Sequence, residues 1–133
     1  MSSEDGLGIE VKYIANSAKG RGIFARRNFK RGDIIEVCPV LLIPPVDHKY
    51  LSQTVLDNYL FDWESEEDSV LLFGYGGLYN HSYTPNAQYI RDFNNKTMVV
   101  QAIKNIKEGQ EIVFNYNGEP ENNAPLDWIK KIE

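Results

Sequence analysis

The chain has 133 residues, 42% of them hydrophobic and 25% charged, and a net charge of −5, which predicts one globular domain. Its single cysteine, Cys38, excludes a disulfide framework, and two histidines are too few to complete a structural zinc cluster. No apolar run approaches the roughly 18 residues that cross a bilayer, and the polar N-terminus lacks the apolar region of a signal peptide. We therefore expect an intracellular protein, cytoplasmic or nuclear, without a bound metal.

Short strands separated by turns follow one another along the chain. Alternating or β-branched apolar residues predict strands over 9–14, 23–26, 34–43, 87–91, 98–103 and 111–116. The run Ile34–Ile43 is the most apolar, and we expect it to be a buried strand that ends at Pro44. A helix is predicted over Lys49–Asn58 with Asp47 as its cap, and one or two helical turns over Pro125–Ile132. This pattern predicts a mostly β domain with short helices.

One segment of the chain is similar to another. Residues 25–35 align without gaps on residues 102–112, and five of the eleven positions are identical. Both segments have the pattern of a strand, a glycine turn and a second strand, which similar turn chemistry alone could produce. We expect two similar hairpins.

Charge is unevenly distributed along the sequence. Residues 11–32 contain seven basic residues and no acid, whereas residues 51–90 contain six acids and neither lysine nor arginine. The basic stretch could contact phosphates, and the acidic stretch could attract a cationic partner and speed its encounter. A solvated surface explains either stretch equally well.

Two segments, one glycine-rich and one polar, could carry chemistry. The two glycines of Lys19–Gly22 would let a ligand approach the backbone closely, although a tight hairpin explains them about as well. The segment lacks the third glycine and the following helix of a dinucleotide-binding fingerprint. Residues Asn80–Asn86 must satisfy many donors and acceptors, which indicates an ordered, partly buried loop. Within it, His81 is more often a structural histidine than a base.

A third segment, Glu111–Asn117, ends in a tyrosine. Alternation places Ile112, Phe114 and Tyr116 on one face of a strand, with the Tyr116 hydroxyl at the rim of the core. The chain has eight tyrosines, whose rings and hydroxyls suit an ammonium or sulfonium cation. No catalytic triad or carboxylate pair is evident, and Cys38 fits a core position, so hydrolysis is not expected.

Taken together and in order, four motifs resemble the SET-domain protein lysine methyltransferases. They are Gly20–Ala25, Tyr59–Phe61, Asn80–Asn86, and Glu111–Ile112 ahead of Tyr116. The chain is most similar to the minimal, free-standing SET proteins of large DNA viruses and bacteria. The resemblance covers residues 7–118, which leaves residues 1–6 as a flexible N-terminus and residues 119–133 as a short post-SET-like tail.

The resemblance implies a β-clip of short sheets in which the C-terminal segment passes under a loop to form a pseudoknot. It also implies that one face of the domain binds S-adenosylmethionine, through the backbone of the glycine turn, the Asn80 side chain and the His81 backbone. The complete implied set is Lys19, Gly20, Arg21, Gly22, Asn80, His81, Tyr116 and Trp128. For Trp128, stacking over the cofactor and simple anchoring of the tail are equally good interpretations.

The implied reaction is in-line transfer of a methyl group to a neutral lysine amine, with Tyr116 as the catalytic residue that orients it. The lysine would enter from the opposite face through a channel walled by Tyr59, Tyr89 and Phe114. In this family a wall tyrosine restricts the number of methyl groups that fit and a phenylalanine permits more. One of each occurs here, so the product state stays open.

The resemblance implies a basic protein substrate, such as a histone tail, guided by the acidic stretch. One alternative is a non-histone substrate such as a ribosomal protein. A second alternative is a non-catalytic SET-like module that binds a peptide or nucleic acid; nucleic acid is not expected as a substrate. Because the zinc segments that flank many SET domains are missing, a homodimer that completes the site is also expected.

Overall fold

The computed structural model describes residues 8–15, 20–65 and 67–125 of the chain. Nine strands dominate these described ranges: β1 (Ile9–Tyr13), β2 (Arg21–Ala25), β3 (Ile34–Ile43), β4 (Leu60–Asp62), β5 (Ser69–Leu72), β6 (Asn80–His81), β7 (Ala87–Asp92), β8 (Thr97–Ala102) and β9 (Glu111–Phe114). The helical elements within them are α1 (Pro45–Leu51) and two 3-10 helices (Val55–Tyr59 and Gly76–Leu78). The predicted mostly β class with short helices is confirmed. No helix in the described part of the chain is long and apolar enough to span a bilayer.

The strands form two sheets, with the orders β1-β2-β9-β6 and β4-β5-β3-β8-β7. All their pairings are antiparallel except that of β6 with β9, which is parallel. Both sheets contribute to one apolar core, whose largest fully buried side chains include Phe29, Tyr79, Met98 and Phe114. Because β2 pairs with β9, the first sheet joins the first two described strands to the last one.

Two predictions about the region between residues 34 and 59 were wrong. The strand β3 has the predicted bounds, but Val37 and Leu41 on its outer face are 51% and 47% exposed, because the core covers only one face of the sheet. The helix begins at Pro45, four residues earlier than predicted, and no side chain caps it. Proline is well suited to the first turn of a helix because it needs no hydrogen bond for its nitrogen. The chain then leaves the helix and resumes as a 3-10 helix capped by the Thr54 hydroxyl.

The two similar segments pack against each other about a local two-fold axis. The backbones of Phe29 and Ile106, which are equivalent in the alignment, exchange both of their hydrogen bonds at 2.8 Å. The Asn28 side chain accepts from the backbone of the second segment, and the equivalent Asn105 side chain accepts from the first, both at 2.9 Å. The turn glycines at positions 32 and 109 have φ angles of +94° and +92°. The expectation of two hairpins was wrong, however: β2 and β3 lie in different sheets, as do β8 and β9, so each segment is a loop that crosses from one sheet to the other.

A carboxylate, Glu36, is buried in this core at 3% exposure. It accepts hydrogen bonds from the Tyr79 hydroxyl and from the backbone N–H of Tyr75, both at 2.8 Å. Buried polar groups are normally paired in this way, and a buried acceptor set of this kind is costly to disturb. Glu36 therefore fixes the turn that leads from β5 to Tyr79.

Removing this carboxylate should destabilise the protein strongly. Glu36→Ala leaves the Tyr79 hydroxyl and the Tyr75 N–H without their acceptor, and each unsatisfied buried group costs about 1–3 kcal/mol. We expect a loss of about 2–6 kcal/mol in the free energy of unfolding, measured by urea denaturation. Glu36→Gln keeps an acceptor oxygen and should lose clearly less; equal stability of Glu36→Ala and wild type would contradict this assignment.

The single thiol should be inert in the folded protein. Cys38 is fully buried, and burial, with Glu36 beside it, raises the pKa of the thiol to about 12. Because the thiolate is the reactive form, we expect no modification by iodoacetamide in native buffer and complete modification in urea. Rapid alkylation of the native protein, followed by mass spectrometry, would contradict this prediction.

Candidate active site

The site begins with the parallel pairing of two short segments that lie far apart in the sequence. Asn80 pairs with Val113 and His81 with Phe114, and the backbone N–H of Ser82 donates to the Phe114 carbonyl at 3.1 Å. The juxtaposition expected for a pseudoknot, residues 80–86 beside residues 114–116, is therefore present. The Asn86 side chain reinforces it by accepting from the Val113 N–H and donating to the Glu111 carbonyl, both at 2.9 Å.

The side-chain amide of Asn80 holds residues 20–22, the described part of the Lys19–Gly22 glycine turn, against this pairing. Asn80 Nδ2 donates to the backbone carbonyl of Arg21 at 2.6 Å and to Glu111 Oε2 at 2.7 Å. Gly22 is required by this packing, since a Cβ there would meet Glu111 Oε2 and would lie 2.8 Å from Asn80 Nδ2. Gly20 has a φ of +79° and open space where a side chain would stand. The turn therefore presents backbone to an open side while its other side is fixed.

Arg21 connects the turn to the middle of the chain. Its guanidinium donates to the Tyr59 hydroxyl at 3.3 Å, and the Tyr59 ring lies against Gly77, where an added Cβ would be 3.4 Å from Cδ1. Tyr59 is half-buried. It was predicted as a channel wall, and the structure places its hydroxyl beside the arginine of the glycine turn.

Tyr116 follows β9, and its hydroxyl is oriented by a backbone carbonyl. The hydroxyl donates to the carbonyl of Tyr79, the residue whose own hydroxyl is bound by Glu36. Since its proton is used in that bond, the Tyr116 oxygen can act towards a further group only as an acceptor. Burial, followed by the nearby Glu111 carboxylate, raises the pKa of Tyr116. The hydroxyl is therefore a neutral, oriented acceptor and not a phenolate base.

His81 also positions Tyr116. The backbone N–H of Tyr116 donates to His81 Nδ1 at 3.0 Å, which requires an unprotonated Nδ1 and hence places the proton of a neutral ring on Nε2. The ring is 3% exposed and makes an edge contact with Tyr83, with 4.4 Å between the ring centroids. The side chain of His81 is thus structural, in line with the interpretation favoured from the sequence.

Tyr116 lines a cavity of about 530 Å³. Its walls combine aromatic, acidic and amide residues: Asp57, Asn58, Leu60, Phe61, Asp62, Gly77, Tyr79, Tyr89, Arg91, Tyr116 and Asn117. Tyr89 is 7% exposed, and its hydroxyl donates to the Tyr116 carbonyl at 3.2 Å. Two carboxylates of the acidic stretch, Asp57 and Asp62, therefore belong to the cavity that Tyr116 lines.

The predicted channel residues occupy three different positions. Tyr89 lines the cavity, whereas Phe114 is 1% exposed and supports it from behind, with ring-centroid distances of 4.9 Å to Tyr89 and 6.0 Å to Tyr116. Tyr59 is not among the lining residues. Phe61 lines the cavity and packs edge-on against Tyr89 at 5.2 Å. Phe61 was not predicted as a wall residue; its place within the Tyr59–Phe61 motif was the available signal.

Further residues around Tyr116 were missed by the sequence analysis. Tyr79 orients the hydroxyl through its carbonyl, and no side-chain pattern reveals such a backbone contact. Arg91 also lines the cavity, and its Nε donates to the Asp62 carbonyl at 2.7 Å. Two predicted cofactor residues, Lys19 and Trp128, lie outside the described part of the chain.

Comparisons with known proteins identify the family of the chain. The SET-domain family model matches residues 20–117, and the chain belongs to that family. A Schizosaccharomyces pombe histone-lysine N-methyltransferase specific for H3 lysine-37 is 32% identical over 99 residues, which are 74% of this chain and 67% of the relative. Within the family, the chain belongs to the protein-lysine methyltransferases.

Solved structures show the same fold. A Plasmodium falciparum protein described as a histone methyltransferase superposes with a TM-score of 0.61 at 29% identity, covering 82% of this chain and 92% of that one. A Chaetomium thermophilum Polycomb Repressive Complex 2 structure bound to S-adenosylmethionine gives a TM-score of 0.67 at 23% identity, covering 82% of this chain and 15% of that one. Several other curated relatives are much longer, and this chain spans about a tenth of their length.

Proposed function

We propose that the protein transfers a methyl group from S-adenosylmethionine to a lysine of a basic protein, with histone tails as the first candidate substrate. One observation carries the proposal: Tyr116 lines the cavity, and its backbone N–H donates to His81, which follows the Asn80 amide that holds the glycine turn. A donor bound at the turn and an amine bound in the cavity would therefore meet at Tyr116. The family and its named relatives support the same assignment.

The residues of the turn fit the proposed cofactor. Gly20 leaves open space beside a backbone in the left-handed region, and the Arg21 carbonyl and the Glu111 carboxylate are both held in place by Asn80. The Glu111 carboxylate and the tyrosines at positions 59 and 89 are the electrostatic neighbours of the Tyr116 hydroxyl. A negative charge and aromatic rings of this kind suit a sulfonium cation. When bound, S-adenosylmethionine would supply an electrophilic methyl group, which moves to the amine nitrogen as its bond to sulfur breaks and a neutral thioether leaves.

The chain's own residues would prepare the amine. The Tyr116 hydroxyl donates its hydrogen bond to the Tyr79 carbonyl. Its oxygen would accept a hydrogen bond from the lysine nitrogen and thereby orient the nitrogen lone pair. The packed rings of Phe61 and Tyr89 would disfavour the charged amine by burial, and so would oppose the two cavity carboxylates, which favour it. Asp57 and Asp62 would attract the basic segment around the lysine.

The catalytic rate should rise with pH, and should not fall again, across the working range. We expect kcat/KM to rise with pH as the substrate amine loses its proton, and no falling limb from Tyr116 at its ordinary pKa of 10.0, because burial raises that pKa. Rates in a buffer series, together with a phenolate absorbance titration of wild type and Tyr116→Phe, measure both effects. A phenolate signal below pH 10.0 that Tyr116→Phe removes would contradict the prediction.

Calorimetry and a transfer assay test the proposal in two stages. Titration with S-adenosylmethionine should give saturable binding, and absence of binding would favour the non-catalytic module. Incubation with labelled S-adenosylmethionine and either core histones or ribosomal proteins should label the histones. Label found only on ribosomal proteins would support the proposed methyltransferase activity and contradict histones as its substrate.

The predicted homodimer and the intracellular location stay predictions. The resemblance to free-standing SET proteins favours a homodimer, and the histone-directed relatives favour a nuclear location. Sedimentation velocity at several protein concentrations tests the first point. A single species with the mass of one chain at all concentrations would contradict it.

A further inference from the structure

A basic surface lies on the two loops that pack about the local two-fold axis, residues 26–33 and 103–110, here called the two-loop surface. Six exposed cationic residues lie on it: Arg26, Arg27, Lys30, Arg31, Lys104 and Lys107. The sequence of these two loops contains two carboxylates, Asp33 and Glu108, which gives the loops a net charge of +4. Because the whole chain carries −5, the remaining residues carry −9. The surface is therefore a cationic patch on an otherwise acidic protein.

The fold brings these charges together from two places in the sequence. Phe29 and Ile106 exchange two backbone hydrogen bonds, and Asn28 and Asn105 each accept a backbone N–H from the opposite loop. The basic stretch noted in the sequence contributes four of the six cations, and the second loop adds two that its pattern did not reveal. Spatial clustering makes the solvated-surface interpretation weaker than it was for either loop alone.

The loops are fixed before any ligand binds. The backbone N–H of Lys30 donates to Asp33 at 2.8 Å, and that of the equivalent Lys107 donates to the side chain of Gln110 at 2.7 Å. The Arg27 guanidinium stacks on the Phe29 ring at 3.9 Å. A preorganised array of cations loses little backbone entropy when an anion binds.

The chemistry of the two loops selects among polyanions. Phe29, their only aromatic residue, is 1% exposed, so the surface offers no ring on which an unpaired base could stack. Proteins that bind single strands combine cations with exposed aromatic side chains, whereas contacts to the duplex backbone need cations alone. We propose that the two-loop surface binds the phosphate backbone of double-stranded DNA without sequence preference.

This site is separate from the candidate active site. None of residues 26–33 and 103–110 is among the residues that line the cavity. DNA on the two-loop surface and a peptide in the cavity could therefore be bound together. The inference goes beyond the proposed methyl transfer, and binding of DNA can be measured without cofactor or peptide substrate.

The test is the salt dependence of binding to a labelled duplex of mixed sequence, followed by fluorescence anisotropy. If four to six phosphates are contacted, the logarithm of the association constant should fall with the logarithm of salt concentration with a slope of about −3.6 to −5.4. The variant K30Q/K107Q changes two equivalent positions on the surface. We expect it to bind at least tenfold more weakly at low salt and to reduce the slope by about 1.8.

The matched control is K49Q/K96Q, which removes two exposed lysines outside the two-loop surface and lowers the net charge equally. It should change the affinity less than twofold. Equal losses in both double variants, or no binding by the wild type at low salt, would overturn the proposal. So would competition by poly-glutamate as effective as competition by unlabelled duplex, since that would assign the surface to an acidic protein. If K30Q/K107Q does not fold, R31Q/K104Q makes the same test.

Discussion

Tyr116→Phe is expected to lower kcat by about 100- to 1,000-fold, the range found when one oriented hydrogen-bonding group is removed from a transition state. The substitution deletes the oxygen that would face the amine and leaves the Tyr79 carbonyl without its donor. Affinity for S-adenosylmethionine should change little, because Asn80 and Glu111 hold the glycine turn independently of this hydroxyl. Single-turnover rates and calorimetry separate the two quantities.

A second tyrosine offers the matched control for this result. Tyr50 on α1 is 62% exposed, so Tyr50→Phe removes a hydroxyl of the same kind at a distance from the cavity lining. It should retain the wild-type rate. If Tyr116→Phe keeps kcat within twofold of wild type while remaining folded, the catalytic role assigned to Tyr116 is wrong.

Asn80→Ala should weaken the binding of S-adenosylmethionine by roughly 5- to 150-fold, which corresponds to about 1–3 kcal/mol for polar groups left unpaired. Its amide is the donor that joins the Arg21 carbonyl to the Glu111 carboxylate. Without this donor the two oxygen acceptors repel each other, and the turn is no longer held. The kcat at saturating cofactor should fall much less, because the Tyr116 hydroxyl is oriented from Tyr79. Calorimetry and kinetics at several cofactor concentrations measure the split.

Asn105→Ala provides the comparison, since Asn105 also accepts a loop-fixing hydrogen bond, from the Arg31 N–H at 2.9 Å, but lies on the two-loop surface. It should leave the affinity for the cofactor unchanged. A cofactor affinity equal in Asn80→Ala and wild type would show that the amide does not organise the binding turn.

Local sequence patterns were sufficient for most of the strands. Alternation in residues 97–102 and 111–114 reflects one buried and one half-buried face, and such a pattern survives in any fold that covers one face of a sheet more than the other. The same reasoning failed for β3, because an apolar run does not reveal which of its faces the core will cover. Val37 and Leu41 are exposed although they resemble core residues.

The site was less accessible to local patterns, since it depends on contacts between distant segments. The resemblance to SET proteins supplied the pairing of residues 80–86 with residues 114–116, which periodicity alone cannot predict. The support behind Tyr116 was not foreseen: Glu36 binds the Tyr79 hydroxyl, 43 positions away, and the Tyr79 carbonyl accepts from Tyr116. A buried glutamate within an apolar strand was the available signal, because such a carboxylate needs partners.

The mass spectrum of a histone mixture after incubation with the protein and S-adenosylmethionine tests the central claim most directly. Methyl transfer predicts new histone species heavier by one or more methyl increments, located on lysine by fragmentation, strongly reduced with Tyr116→Phe and absent without cofactor. Unmodified histones and unmodified ribosomal proteins, from a folded protein that binds the cofactor, would contradict the assignment as a protein-lysine methyltransferase.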